Sequence, residues 1–81
     1  MKPITLQQVL DDAFLWGKVF NFCLERGISV SPDPIGYNQI RLIVNNNGKR
    51  TIGKEVYTNQ NFGDKLREIY VHIYNKMNKN N

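Results

Sequence analysis

Asp11 and Asp12 form the only adjacent carboxylate pair in the chain, and paired carboxylates can hold a hard cation or divide the acid and base roles of a reaction. Neighbours on a helix point about 100° apart, however, so these two cannot converge on one ligand and read as a solvated helix face. His72 is the sole histidine. It stands between Val71 and Ile73, four residues after Glu68, and that spacing predicts a Glu68–His72 surface pair, because a working histidine also needs a nucleophile and a pocket. The single Cys23 cannot close an internal disulfide, and one thiol with one imidazole cannot build a four-ligand zinc site. It reads as a small buried hydrophobe in a chain kept under reducing conditions. Gly48 and Gly53 have the spacing of phosphate-loop glycines and each precedes a lysine, but Glu55 replaces the hydroxyl residue and strand pattern follows where a helix would be needed. These residues predict no catalytic centre, no metal, no cofactor and no small-molecule substrate.

Two stretches carry binding chemistry instead. The chain has eleven basic and seven acidic residues, a net charge of +4, and the excess lies after residue 40. Arg41, Lys49, Arg50 and Lys54 occur with no acidic residue between Arg41 and Glu55, on a segment that ends in an Asn-rich tip. A basic hairpin of this kind can approach phosphates and base edges, with Lys65, Arg67 and Lys76 of the last helix extending the surface. The other stretch is the first helical segment. Leu15, Val19 and Phe22 fall within about 60° of one another and nearly opposite the stripe Leu6, Val9, Leu10, Ala13, Gly17, Phe20, Leu24, with Trp16 and Cys23 between. A second apolar stripe on a surface helix predicts a second packing partner, and Leu15, Trp16, Val19 and Phe22 are its candidate contacts.

The elements that position these residues follow from periodicity. Thr5 and Gln8 have the spacing of a capping box, and Gly27 suits the position just past a helix end; a helix is predicted over about 5–26. Ile28 and Val30 alternate with Ser29 and Ser31, a short strand over 28–31, after which Pro32-Asp33-Pro34-Ile35-Gly36 predicts a rigid turn. Ile40, Leu42 and Val44 alternate with Gln39, Arg41 and Ile43, Asn45-Asn46-Asn47-Gly48 tolerates positive φ, and the return strand carries Ile52 and Val56 on one face, with Gly53 marking a bulge. This hairpin spans about 38–57. Asn59 or Asn61 then caps a helix over about 60–78 whose stripe is Phe62, Leu66, Ile69, Tyr70, Ile73 and Met77.

Eighty-one residues make one domain. The order is α-β-β-β-α, an α+β fold in which two helices pack on one face of a three-stranded antiparallel sheet. Double-stranded-RNA-binding domains share that order, but Asn61-Phe62-Gly63-Asp64-Lys65 stands where they place a lysine cluster, and no membership follows. With 41% apolar and 22% charged residues, no apolar run long enough to cross a bilayer and no signal-peptide pattern after Met1, a cytoplasmic protein without membrane contact is expected. The excess of Asn, Lys, Ile, Phe and Tyr over Gly, Ala, Arg and Pro fits AT-rich coding, as in many bacteriophages and mobile elements. The expected function is therefore a non-enzymatic binding protein acting on a protein partner or on a second copy as a homodimer, in the manner of a phage or mobile-element regulator or inhibitor of host machinery. The alternative is nucleic-acid binding through the basic hairpin.

Overall fold

A computed structural model describes residues 3–78. Its elements are α1 (Leu6–Asp11), α2 (Ala13–Glu25), β1 (Ile28–Gly36), β2 (Gln39–Asn46), β3 (Lys49–Ile52) and α3 (Phe62–Met77). The strands form one antiparallel sheet in the order β1-β2-β3, with helices on one face, so the α+β class and the three-stranded sheet are as expected.

The first helical segment is two helices. Thr5 caps α1 through the expected box: its hydroxyl accepts from the Gln8 N–H at 3.2 Å, and the Gln8 side chain accepts from the Thr5 N–H at 2.9 Å. Asp12 then leaves helical geometry, at φ −138° and ψ 104°, and its carboxylate accepts the N–H groups of Phe14 and Leu15 at 3.0 and 3.3 Å. A carboxylate that satisfies the free N–H groups of a new helix start ends one helix and begins another. Asp12 is thus a cap, whereas the continuous periodicity across it suggests a single helix.

Strand β1 also runs through the segment expected to turn. It is an edge strand, and Val30 aims its N–H away from β2 to the Tyr70 hydroxyl, 2.9 Å away. The two-residue period gives Pro32 and Pro34 the same orientation, opposite Leu42 and Ile40. Their missing N–H groups therefore remove nothing from the ladder, a setting in which proline fits a strand. The β2–β3 turn is as the sequence suggests: Asn47 and Gly48 have φ of 54° and 90°, and the Asn45 side chain accepts from the Gly48 N–H. Gly27 makes the opposite corner at φ 73°, where a side chain would run into that of Asn47. Its carbonyl accepts the Asn47 N–H at 2.8 Å, joining the α2–β1 corner to the β2–β3 tip.

The core lies between the helices and the face of the sheet that carries Ile28, Val30 and Leu42, with Val9, Val19, Cys23, Tyr70, Val71 and Tyr74 completing it. Tyr70 is its centre: the ring packs edge-on to Trp16 at 5.4 Å and tilted to Phe20 at 5.3 Å, while Phe22 packs edge-on to Tyr74 at 4.8 Å. Ile52 and Val56 are not core residues; each is about half exposed. Ile52 pairs with Ile43, which puts it on the face opposite Leu42. The chain leaves the ladder after Ile52 and rejoins it only at Tyr57, which bridges to Ile40. The Gly53 N–H donates to the Leu42 carbonyl at the point of departure. At the other end, Asn75 holds the start of the chain by exchanging two hydrogen bonds with the Ile4 backbone, at 2.9 and 2.7 Å.

Candidate functional site

Of the helical residues expected to face outward, Val19 has no exposed surface, and Leu15, Trp16 and Phe22 are half-buried against the core. The second stripe packs inward, and Val9 and Phe20 of the first stripe pack on the core as well. The break at Asp12 resets the helical phase, so Leu15, Trp16, Val19, Phe22 and Cys23 form the inward face of α2, while Leu10, Ala13 and Leu24 of the other stripe are exposed. An outward docking patch on Leu15, Val19 and Phe22 is therefore corrected: these side chains are spent on the fold.

The basic residues are dispersed. Arg41 lies opposite Asp33 in the sheet and donates to its carboxylate at 2.9 Å. Lys65 is bonded to Glu68 at 3.0 Å, and that pairing replaces the expected Glu68–His72 contact; His72 is exposed. Arg67 sits over the Trp16 ring, 5.4 Å from its centre, and donates to the Gly63 carbonyl. Lys54 stands in the segment that leaves the ladder. Arg50 shares the uncovered sheet face with Arg41 and Ile52, whereas Lys49 is one residue out of phase with it. Lys76 is in the last turn of α3. The seven residues make no single surface.

Among the described residues no three His, Cys, Asp or Glu side chains converge as a metal site. Cys23 is buried, and loss of hydration pushes its thiol pKa up while nearby Arg26 lowers it in part; a thiol kept protonated is a poor nucleophile. Burial likewise raises the Tyr70 phenol, against the lowering influence of the Val30 N–H. No helix among the described residues is long and apolar enough to cross a membrane.

Two other surfaces stand out. One is the end of the domain where α1 meets α2 and β1 turns into β2, which carries two exposed aromatic side chains. Phe14, the second residue of α2, is 93% exposed, and Tyr37, in the β1–β2 turn, is 97% exposed. Leu10, Ile35 and Val56 add exposed apolar surface. The contacts of Trp16 with Tyr70 and Arg67 place the start of α2 toward the start of α3, and the Asn59 N–H donates to the Asn38 side chain at 2.8 Å, which brings the β1–β2 turn to that same end. Neither Phe14 nor Tyr37 could be singled out from spacing, because Phe14 is one apolar residue among many in its segment. The second surface is a cleft of about 440 Å³ at the opposite end, between the last turns of α2 and α3 and the β2–β3 tip. Compared with known proteins, the chain matches no protein-family model, no curated protein and no solved structure.

Proposed function

We propose that the protein is a non-catalytic binding module that docks onto a partner protein through the end of the domain bearing Phe14 and Tyr37. The observation that carries this reading is the near-complete exposure of two large aromatic rings, at 93% and 97%, in a chain whose other aromatic residues are at least half-buried. Aromatic side chains bury much area at little entropic cost and are enriched at the centres of protein interfaces. Hydration of two such rings is a standing cost that a partner removes.

The test is a Phe14→Ser, Tyr37→Ser double variant. Both side chains are outside the core, so its melting temperature should match the parent. Immobilised parent should retain a protein from nuclease-treated lysate of the source cell that the double variant does not, and light scattering of the pure protein separates this from self-association. Identical retention by both forms sinks the reading.

A second reading rests on the opposite end, where Arg26, Lys49 and Lys76 approach the joined α2–β1 corner and β2–β3 tip, with Arg50 next along β3. This end supports phosphate contact. If nucleic acid binds there, Lys49→Ala with Arg50→Ala lowers affinity and flattens its dependence on salt by roughly 1–2 units of log slope. Absence of DNA and RNA binding at about 50 mM salt removes this reading.

A further inference from the structure

We infer that the cleft between the C-terminal turns of α2 and α3 is a binding site for an amphiphilic carboxylate, a linear aliphatic chain ending in one negative charge. Its volume, about 440 Å³, lies in the range of small-molecule sites. The floor is aliphatic: Ile28 of β1, Val44 of β2, and Ile73 and Met77 of α3. Two cations, Arg26 and Lys76, line it, and among the described residues no carboxylate does.

Each cation is the first residue one would assign to its own helix end, since a positive charge there offsets the helix dipole. That role leaves charge unspent, because a helix end carries only about half a unit of negative charge. Arg26 lies over the Phe22 ring, 3.5 Å from its centre, and donates one bond to the Phe22 carbonyl, so its remaining N–H groups have no carboxylate partner among the described residues. Lys76 forms no ion pair among them. Asn46 accepts from the Asn47 side chain at 2.8 Å through its carbonyl oxygen, which leaves the Asn46 amide N–H groups as further donors. Three donors thus stand around an aliphatic floor. The arrangement suits a ligand with an apolar tail and a single anionic head. It does not suit a nucleotide, since among the described residues no aromatic ring lines the cleft to stack on a base.

The experiment titrates decanoate, below its micellar range, into the full chain and follows methyl resonances of Ile28, Val44, Ile73 and Met77. Saturable shifts confined to these residues are expected. Decanol, which keeps the tail without charge, and acetate, which keeps the charge without the tail, should each bind at least about tenfold more weakly. Arg26→Gln and Lys76→Gln are substitutions of exposed side chains, so the fold should survive, and each should weaken decanoate by about tenfold. Anionic phosphatidylglycerol vesicles form a separate arm: vesicle binding without saturable decanoate shifts overturns the site in favour of a membrane surface. Equal binding of decanol and decanoate, indifference to both substitutions, or shifts spread away from the cleft also overturn it. The aromatic double variant should bind decanoate as the parent does, so failure of the protein-docking reading and failure of this one are distinguishable.

Discussion

At the scale of single residues, the molecule turns on Tyr70. Its ring fills the centre of the core, and its hydroxyl accepts the N–H of Val30, a buried donor on the outer edge of β1. Tyr70→Phe keeps the ring and deletes the acceptor, leaving that N–H unsatisfied at a cost of about 1–3 kcal/mol. The expected outcome is a melting temperature lower by several degrees with the same circular dichroism spectrum; an unchanged melt would mean that water replaces the hydroxyl. Tyr70 and Cys23 also set an alkaline limit on stability. Burial raises both pKa values in the fold, so the folded state favours their neutral forms. Stability is therefore complete below the pKa of the free groups, and falls as pH rises from there through the raised folded values. Thermal melts should fall above about pH 8.5, where a free thiol is half ionised, and Cys23→Ala should flatten the first part of that fall. A melting temperature independent of pH between about 7 and 10 would contradict it.

At the scale of elements, both edges of the sheet are closed to further strands. On β1, Val30 is capped by Tyr70, and Pro32 and Pro34 have no N–H to offer along the same edge. On the far side, β3 is only four residues long and the chain departs from the ladder at Gly53. Short edges, prolines and bulges are the recognised means of preventing edge-to-edge pairing. Replacing both prolines by Val should leave the fold intact while exposing two unpaired donors, and concentration-dependent growth of particle mass in light scattering should appear. A variant whose particle mass does not grow with concentration would show that β1 is guarded by something other than the prolines. This closure also directs association to side-chain surfaces, consistent with the proposed use of the aromatic end.

At the scale of the whole molecule, extents of 41 × 29 × 17 Å describe a thin domain in which one helical layer covers one sheet face. With so little depth, few residues can be fully buried, and Leu42, at the middle of the central strand, is one of them. Leu42→Ala should cost about 2–5 kcal/mol, a large share of the roughly 4–12 kcal/mol available to a chain this size. Chemical denaturation should show the midpoint fall with little change in slope. A loss below about 1 kcal/mol would mean that the helices close over the gap. The uncovered face holds Arg41 paired with Asp33 and, beside it, a nearly buried Ile43; such a partly exposed ion pair contributes little to stability.

What the sequence by itself determined is whatever depends on near neighbours. The Thr5 capping box, the Asn47-Gly48 turn, the alternation of Ile40 and Leu42, burial of Cys23 and the α+β class were all legible, because each follows from residues a few positions apart. The inward face of α2 was not. Phe14, Leu15, Trp16, Val19, Phe20, Phe22 and Cys23 put apolar side chains on almost every side of that helix, and only the break at Asp12 and the position of Tyr70 decide that Val19 is buried while Phe14 is left in water. The prolines of β1 are equally ambiguous from sequence, since their fit depends on which edge of the sheet the strand occupies. The cleft could not be read at all: Arg26, Val44 and Lys76 are far apart in the chain, and only the packing of two helix ends against the β2–β3 tip brings their charge and apolar surface together.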